Sequence, residues 1–192
     1  MMRIITGKAR GFHLATLPGE DTTRPTTERV KESVFSTLQF DIEGRAVLDL
    51  FAGSGQMGLE AMSRGAASCV FVDESRAACD VVNANARGAK LTDNVRVLNT
   101  KAETFLKSCR ERFDTVFLDP PYRLGCLNDI LPMLPRLMND GGLAVCETDA
   151  QTDLPERVEN DGAALVLEKQ RRYGKTLIWI YRCVADGKDA AL

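Results

Sequence analysis

The chain has 192 residues, 44% of them apolar, with 25 Lys and Arg against 27 Asp and Glu and a formal net charge of −2. This suits one domain with a real core and excludes bulk disorder, while the near-balance of charge excludes a wholesale polyanion binder, so nucleic acid must be met by local basic patches. Six cysteines without a C-x-x-C pair, a single histidine (His13) and no long apolar run predict a cytoplasmic protein with reduced thiols, no metal, no membrane span and no histidine-based triad.

Two alternating runs, Arg3–Thr6 and Phe12–Leu17, flank a basic, Gly-bounded loop and predict a β-hairpin. Arg24-Pro25-Thr26-Thr27-Glu28 offers a threonine cap and an early acid, and Val30, Val34, Phe35 and Leu38 follow at helical spacing. An amphipathic helix is therefore expected over 27–39. The polar stretch Asp41–Arg45 separates this extension, 1–43, from a main domain, 44–184.

From Ala46 the pattern alternates. Strands are expected at Ala46–Phe51, Ser68–Asp73, Asn94–Leu98, Phe113–Leu118 and Leu143–Cys146. Helices fall between them at Gln56–Ser63, Ser75–Arg87 (capped by Ser75), Ala102–Arg110 and Leu127–Met138, the last ended by Gly141-Gly142. Continuous apolar strands alternating with helices predict a doubly wound, mostly parallel α/β sheet covered on both faces. Ala164–Lys169 and Thr176–Arg182 read as an antiparallel hairpin finishing the sheet, and 185–192 as a frayed tail.

Two motifs at strand ends carry chemistry. Gly53-Ser54-Gly55-Gln56-Met57-Gly58 satisfies G-x-G-x-x-G, in which glycine permits a sharp turn and close approach, and the following helix offers free N–H groups. Asp73 ends the next strand, where a carboxylate can accept both hydroxyls of a ribose. Alone, this is shared with dinucleotide-binding proteins. Asp49, four residues before the first glycine, sits badly beside a pyrophosphate and well beside the ammonium of a methionyl group. Phe51, Ala52, Ser54 and Gly58 complete the candidate cradle. The plainer reading is a tight turn with ordinary packing.

The second motif is Asp119-Pro120-Pro121-Tyr122. An exocyclic amine on a base is a poor nucleophile because its lone pair is delocalised into the ring. Acceptors around its two N–H groups, here the Asp119 carboxylate and the Pro120 carbonyl, favour the reactive pyramidal form, and the prolines stiffen the loop. Tyr122 offers a flat face for an extruded base. The bland alternative is a rigid turn after a strand, although open α/β sheets bind ligands at this edge.

With both motifs present, the chain resembles the class I S-adenosylmethionine-dependent methyltransferases and, more narrowly, the RsmD family of bacterial 16S rRNA (guanine-N2)-methyltransferases. The resemblance rests on Arg3-Ile4-Ile5-Thr6-Gly7-Lys8, Arg24–Glu32, Asp49–Gly55, Gly58-Leu59-Glu60-Ala61, Ser63-Arg64-Gly65-Ala66, Asp119–Tyr122 and Tyr173-Gly174-Lys175-Thr176. It implies a Rossmann-like methyltransferase sheet and S-adenosylmethionine as methyl donor, with a guanine of 16S rRNA in an assembled or assembling small ribosomal subunit as target; a monomer is the simple default. It implies that Asp49, Gly53 and Gly55 line the methionine end of the cofactor and Asp73 the ribose. Asn99-Thr100-Lys101-Ala102 departs from the family's frequent Gly-Asp-Ala, leaving backbone near Ala102 to meet the adenine. The alternatives are a DNA or other RNA amino-methyltransferase, a nicotinamide-dependent oxidoreductase on the same fold and a non-catalytic RNA-binding module.

Candidate RNA contacts are Arg3, Lys8 and Arg10 in the opening segment, Arg24, Arg29 and Lys31 on or beside the first helix, and Arg171, Arg172 and Lys175 near the C-terminus. Charge removal at Arg10 or Arg24 is expected to weaken RNA binding while sparing cofactor affinity. A solvated charge is the commoner reading of any one such cation. Arg24, Arg29 and Lys31 are the better candidates, because their helix precedes the cofactor strand and could overhang the site. Glu28, Arg45, Glu60 and Arg64 read alternatively as structural ion pairs.

Overall fold

Eight strands are present among the residues described, 2–17, 25–120 and 125–185, in the computed structural model. They are β1 (Ala46–Leu50), β2 (Ser68–Asp73), β3 (Val95–Asn99), β4 (Phe113–Leu118), β5 (Met138–Asp149), β6 (Arg157–Asn160), β7 (Ala163–Tyr173) and β8 (Thr176–Ala185). They form one sheet in the order β3-β2-β1-β4-β5-β8-β7-β6. The first five run parallel; β8, β7 and β6 close the sheet antiparallel. The helices are α1 (Pro25–Thr37), α2 (Gln56–Ser63), α3 (Arg76–Gly88), α4 (Ala102–Ser108) and the single turn α5 (Leu127–Ile130). None is long and apolar enough to cross a membrane. Arg24, Pro121, Tyr122 and the tail beyond Ala185 lie outside the described residues.

Successive side chains of a strand point to opposite faces, and each face packs its own core. Leu48, Leu50, Val70 and Val72 meet Phe105 and Leu106 of α4 and Ile130 of α5 on one side. Val47, Phe71, Phe117 and Val145 face the other, where α1 contributes Val34 and Phe35, the residue after it Leu38, α2 Leu59 and α3 Val82. Phe35 and Phe117 lie with ring centroids 5.5 Å apart. Ser75 caps α3 by accepting the Ala78 N–H at 3.3 Å, as its position predicts.

Several expectations change. The expected helix Leu127–Met138 ends at Ile130 and continues as two 3₁₀ turns, Leu131–Met133 and Pro135–Leu137. Pro132 and Pro135 lack the N–H groups an α-helix needs there. Gly141-Gly142 does not end that helix. It lies inside β5, beside the register shift between Phe113 and Thr115, with Gly141 at φ 79°. A Cβ on Gly142 would stand 2.9 Å from the carbonyl oxygens of Asn139 and Asp114, so glycine permits the kink. The final hairpin runs longer than predicted at both ends, and the edge strand β6 was not expected.

The N-terminal hairpin reduces to one isolated bridge, Arg3 to His13. Ile4, Gly11 and Leu14 N–H groups still bond carbonyls across the turn, but donors on either side of that short pairing go to side chains. Ile5 and Thr6 N–H groups bond the Glu60 carboxylate at 2.7 and 3.1 Å, and Ala15 N–H bonds Asn85 Oδ1 at 2.8 Å. Glu60 is fully buried and also takes Arg64 Nε at 2.8 Å, with Lys31 Nζ 3.8 Å away. It ties the opening segment, α1 and α2 together; leaving such a charge unpaired costs ~3–5 kcal/mol. Arg3–Glu28 and Arg45–Asp114 are looser surface pairs, at 3.7 and 3.9 Å.

Gly58 packs α2 onto β2 by having no side chain. A Cβ there would lie 2.3 Å from the Phe71 ring and 2.8 Å from Cys69 Sγ. Gly58→Ala must therefore displace a buried ring and is expected to destabilise the protein by ~1–3 kcal/mol, read as a lower urea midpoint at unchanged slope.

Candidate active site

The strand order reverses between β1 and β4, whose ends are in register at Leu50 and Leu118. This is the switch point at which open α/β sheets take their ligands. Two carboxylates stand there: Asp49, one residue before the end of β1, and Asp119, one residue after β4. Asp49 shares a face with Val47, and Asp119 with Phe117, by the two-residue period of a strand. The sequence motifs thus meet on one side of one edge.

Asp49 is 3% exposed and accepts the Gly58 N–H at 2.8 Å. Burial pushes its carboxyl up to about 7, the Gly58 bond opposes this, and the Asp73 charge adds to it. A buried carboxylate so disposed is stabilised by an incoming cation. The turn after it is strained: Phe51 adopts φ 67°, with its N–H and that of Ala52 both directed to the Val72 carbonyl. A bulky residue in the left-handed region marks a site where the surrounding structure dictates backbone shape. Gly53 follows at φ 52°, with open space where a Cβ would stand, so a ligand can lie against its backbone. Gly55 precedes the first turn of α2, and the Ser54 carbonyl is fixed by Asn85 Nδ2 at 2.9 Å.

Asp73 is half-buried at the end of β2. One carboxylate oxygen accepts the Gly53 N–H at 2.9 Å, the other the Ser75 N–H at 2.8 Å. A carboxylate has about four acceptor positions, so one on each oxygen stays open for a pair of ribose hydroxyls. Asn99 bonds the carbonyls of Asp73 and Glu74 and holds this strand end, a role its sequence context did not signal. Ala102 starts α4 beside it, with Lys101 as the N-cap residue making no side-chain cap. The cradle fits a cationic amino-acid group at Asp49 joined to a nucleoside at Asp73.

Asp119 opens on a shallow cleft between α1 and the ends of β4, β5 and β8. Val30, Val34 and the buried Lys31 form one wall, Phe117, Val145 and Ile178 the other, and Gln56, Met57 and Glu147 rim it. Apolar walls with polar groups at one edge suit a flat base. Pro120 is buried and borders a second cleft on the other side of the loop. Gln56 and Glu147 were not singled out from the sequence. Only strand register shows that Glu147 follows Cys146, the partner of Leu118.

The basic candidates divide. Lys31 does not stand on the outer surface as expected: it is 1% exposed, donates to the Arg3 carbonyl at 2.6 Å and faces Glu60, a buried cation in the wall of the Asp119 cleft. Arg3, Lys8 and Arg10 are exposed, but their segment is fastened at Ser63, where Lys8 N–H bonds the carbonyl and Ala9 N–H the hydroxyl. Ser63 is the far end of α2 from Gln56, ~12 Å along eight helical residues. Arg29 is exposed on α1. Arg171, Arg172 and Lys175 are exposed at the β7–β8 tip, and Thr176 of β8 pairs with Asp149, two residues past Glu147. That tip therefore shares the edge of Asp119.

The chain matches the family model described as "Conserved hypothetical protein 95" over residues 2–182. It is 38% identical over 186 residues to YlbH of Bacillus subtilis (strain 168), covering 94% of this chain and 98% of that one. Against Ribosomal RNA small subunit methyltransferase D of Escherichia coli (strain K12), identity is 34% over 192 residues, with 99% and 94% covered. The solved structure of yhhF from Escherichia coli superposes with a TM-score of 0.82 at 32% identity, over 96% of this chain and 99% of that one.

Proposed function

We propose, from the premise that the chain belongs to the Conserved hypothetical protein 95 family, the RsmD family, that it methylates N2 of a guanine in 16S rRNA of the small ribosomal subunit, with S-adenosylmethionine as donor. The observation that carries the reading is the pair Asp49 and Asp119 at adjoining strand ends, one beside the glycine turn that leads to Asp73 and one on the cleft between α1 and the sheet. When bound, S-adenosylmethionine supplies an electrophilic methyl group on a sulfonium. Asp49 and the Gly53 backbone hold its methionine end, and Asp73 its ribose. The apolar walls grip the base, and Asp119 with the Pro120 carbonyl accepts the two amine N–H bonds, aiming the lone pair along the transfer line. After transfer, Asp119 or water takes the proton the methylated amine sheds. Alignment of this kind is worth up to ~7–11 kcal/mol of barrier.

The nicotinamide alternative is disfavoured by one contact. A dinucleotide pyrophosphate needs the N–H groups of the first helical turn, and here Asp49 already occupies that of Gly58. The test is incubation with methyl-labelled S-adenosylmethionine and small subunits from cells lacking the gene. Label recovered as N2-methylguanosine in 16S rRNA supports the reading; cofactor binding without such label sinks the target, and no cofactor binding sinks the methyltransferase.

The position of the β7–β8 tip supports RNA contact by Arg171, Arg172 and Lys175 over contact by Lys8 and Arg10. Replacing Arg171 and Arg172 by Ala is expected to flatten the salt dependence of RNA binding, the slope of log K against log salt falling by ~1–2. Cofactor affinity should stay within twofold. The matching Lys8 and Arg10 pair should change the slope less. Equal slopes for both pairs would remove the tip from the interface.

A further inference from the structure

Methylating an amine requires choosing among the bases that carry one, and Asp119 alone does not choose. Guanine, adenine and cytosine all present an exocyclic N–H pair to an acceptor. They differ in the ring atom beside the amine. In guanine it is N1–H, a donor; in adenine N1 and in cytosine N3, both acceptors. A second acceptor next to Asp119 therefore separates guanine from the other two.

The sheet supplies one. Leu118 and Cys146 are register partners on the parallel strands β4 and β5, so Asp119 and Glu147 are the next pair along. Strands lie ~4.8 Å apart, close enough for side chains from adjacent positions to converge on neighbouring N–H groups of one base edge. Glu147 shares the face of Val145 and rims the same cleft as Asp119. Its backbone is held on the far side by pairing with Ile178 of β8, so a closed sheet interior fixes its position. A further observation points to a donor-rich ligand. The amide oxygen of Gln56, on the same cleft, is buried with no hydrogen-bond partner among the described residues. Asp119, Glu147 and Gln56 thus place oxygen acceptors around one cleft whose lining is otherwise apolar except for the buried Lys31, itself paired with Glu60.

We propose that Glu147 is the specificity-determining residue of this site: its carboxylate accepts the N1–H of the extruded guanine while Asp119 holds the adjacent amine. The inference rests on the reading of the site as a guanine-N2 methyltransferase. Adenine and cytosine would set a ring lone pair against that carboxylate, which leaves both unpaired and repelled. A site built to bond a substrate N–H rejects an analogue lacking it far more strongly than a site that only fits its shape.

The probe is 2-aminopurine, which keeps the amine at C2 but has an acceptor in place of N1–H. Small subunits are reconstituted with 16S rRNA carrying guanine or 2-aminopurine at the modified position, and kcat/KM for methyl transfer is measured with the wild-type protein and Glu147→Gln. The wild type is expected to prefer guanine by about 100-fold or more. Glu147→Gln, whose amide can donate to the 2-aminopurine ring nitrogen, should lose ~10–100-fold on guanine and bring the two substrates within ~10-fold of each other. Its cofactor affinity should match the wild type. A wild type that methylates both substrates alike overturns the proposal without any variant. So does a variant whose rates fall in parallel on the two substrates, the pattern of a merely structural role. A wild type that binds cofactor yet leaves guanine unlabelled removes the underlying reading of the target, and this inference with it.

Discussion

Asp119→Ala is expected to lower kcat/KM for methyl transfer by ~10³-fold while leaving cofactor affinity within about twofold. The separation follows from position. Asp119 stands just past β4, on the cleft beside α1, whereas Asp49, Gly53 and Asp73 lie along the turn after β1 and at the end of β2, with Asp49 bonded to Gly58 and Asp73 to Gly53. Asp119 is half-buried and outside the two cores, so its truncation opens no cavity in either of them. Asp119→Asn tests what the carboxylate does. Its amide oxygen still accepts one N–H, and the Pro120 carbonyl keeps the other, so orientation survives in part and only charge is lost. A fall of ~10–100-fold for Asn against ~10³ for Ala would assign most of the effect to orientation. Equal losses would mean that the negative charge itself, or proton acceptance, is required. A variant that loses cofactor affinity and rate together would instead move Asp119 into the cradle.

Much of this site was legible because its chemistry sits on locally encoded elements. The β1 and β4 runs are continuous and apolar, so their ends are visible, and the Gly and Pro residues that follow can only be turns. The misreadings share a cause: they depend on what is adjacent in space. Lys31 looked like an exposed cation. Yet Lys31, Val34, Phe35 and Leu38 fall at i, i+3, i+4 and i+7, a single helical stripe, and its partner Glu60 lies on a different helix. The apolar pattern alone held the warning that Lys31 turns inward. Pro132 and Pro135 announced that Leu127–Met138 was not one helix. Glu147 had no such local sign. It matters only through the register of β4 with β5, which a single sequence does not display. The opening segment gave the reverse lesson. Its alternation is real, but Glu60 and Asn85 take the backbone donors that a longer ladder would have used.

Asp49→Asn is expected to act in opposite directions on binding and on stability. Asn keeps an acceptor for the Gly58 N–H, so the turn holds, but the charge that would meet the methionyl ammonium is gone. Cofactor affinity should fall by ~100-fold, the scale of a charge-assisted contact in a buried site. The ligand-free protein, in contrast, should become more stable at pH 8. The Asp49 carboxyl is raised from 3.8 to about 7 in the folded state. A group raised in this way contributes its stability fully below the unfolded value, near 4, and loses it as pH climbs through 7. At pH 8 the wild type carries an ionised, buried carboxylate that Asn removes. The gain is on the order of 2–4 kcal/mol, or a melting temperature higher by ~5–10 °C, shrinking toward nothing near pH 4. The same ionisation governs binding in the wild type. A cation pairs with the carboxylate form, so cofactor affinity should weaken about tenfold per pH step below 7 and level off above it. Titration calorimetry at pH 6 and pH 8 reads this directly, with proton release on binding near pH 7. Affinity that is flat across that range, in a wild type that still outbinds Asp49→Asn, would mean that Asp49 is already ionised before the ligand arrives. Flat affinity shared by both proteins would place the ammonium elsewhere. The burial that makes Asp49 costly to the empty fold is what leaves it unscreened when a cation enters, which is why stability and affinity are expected to trade at this one residue.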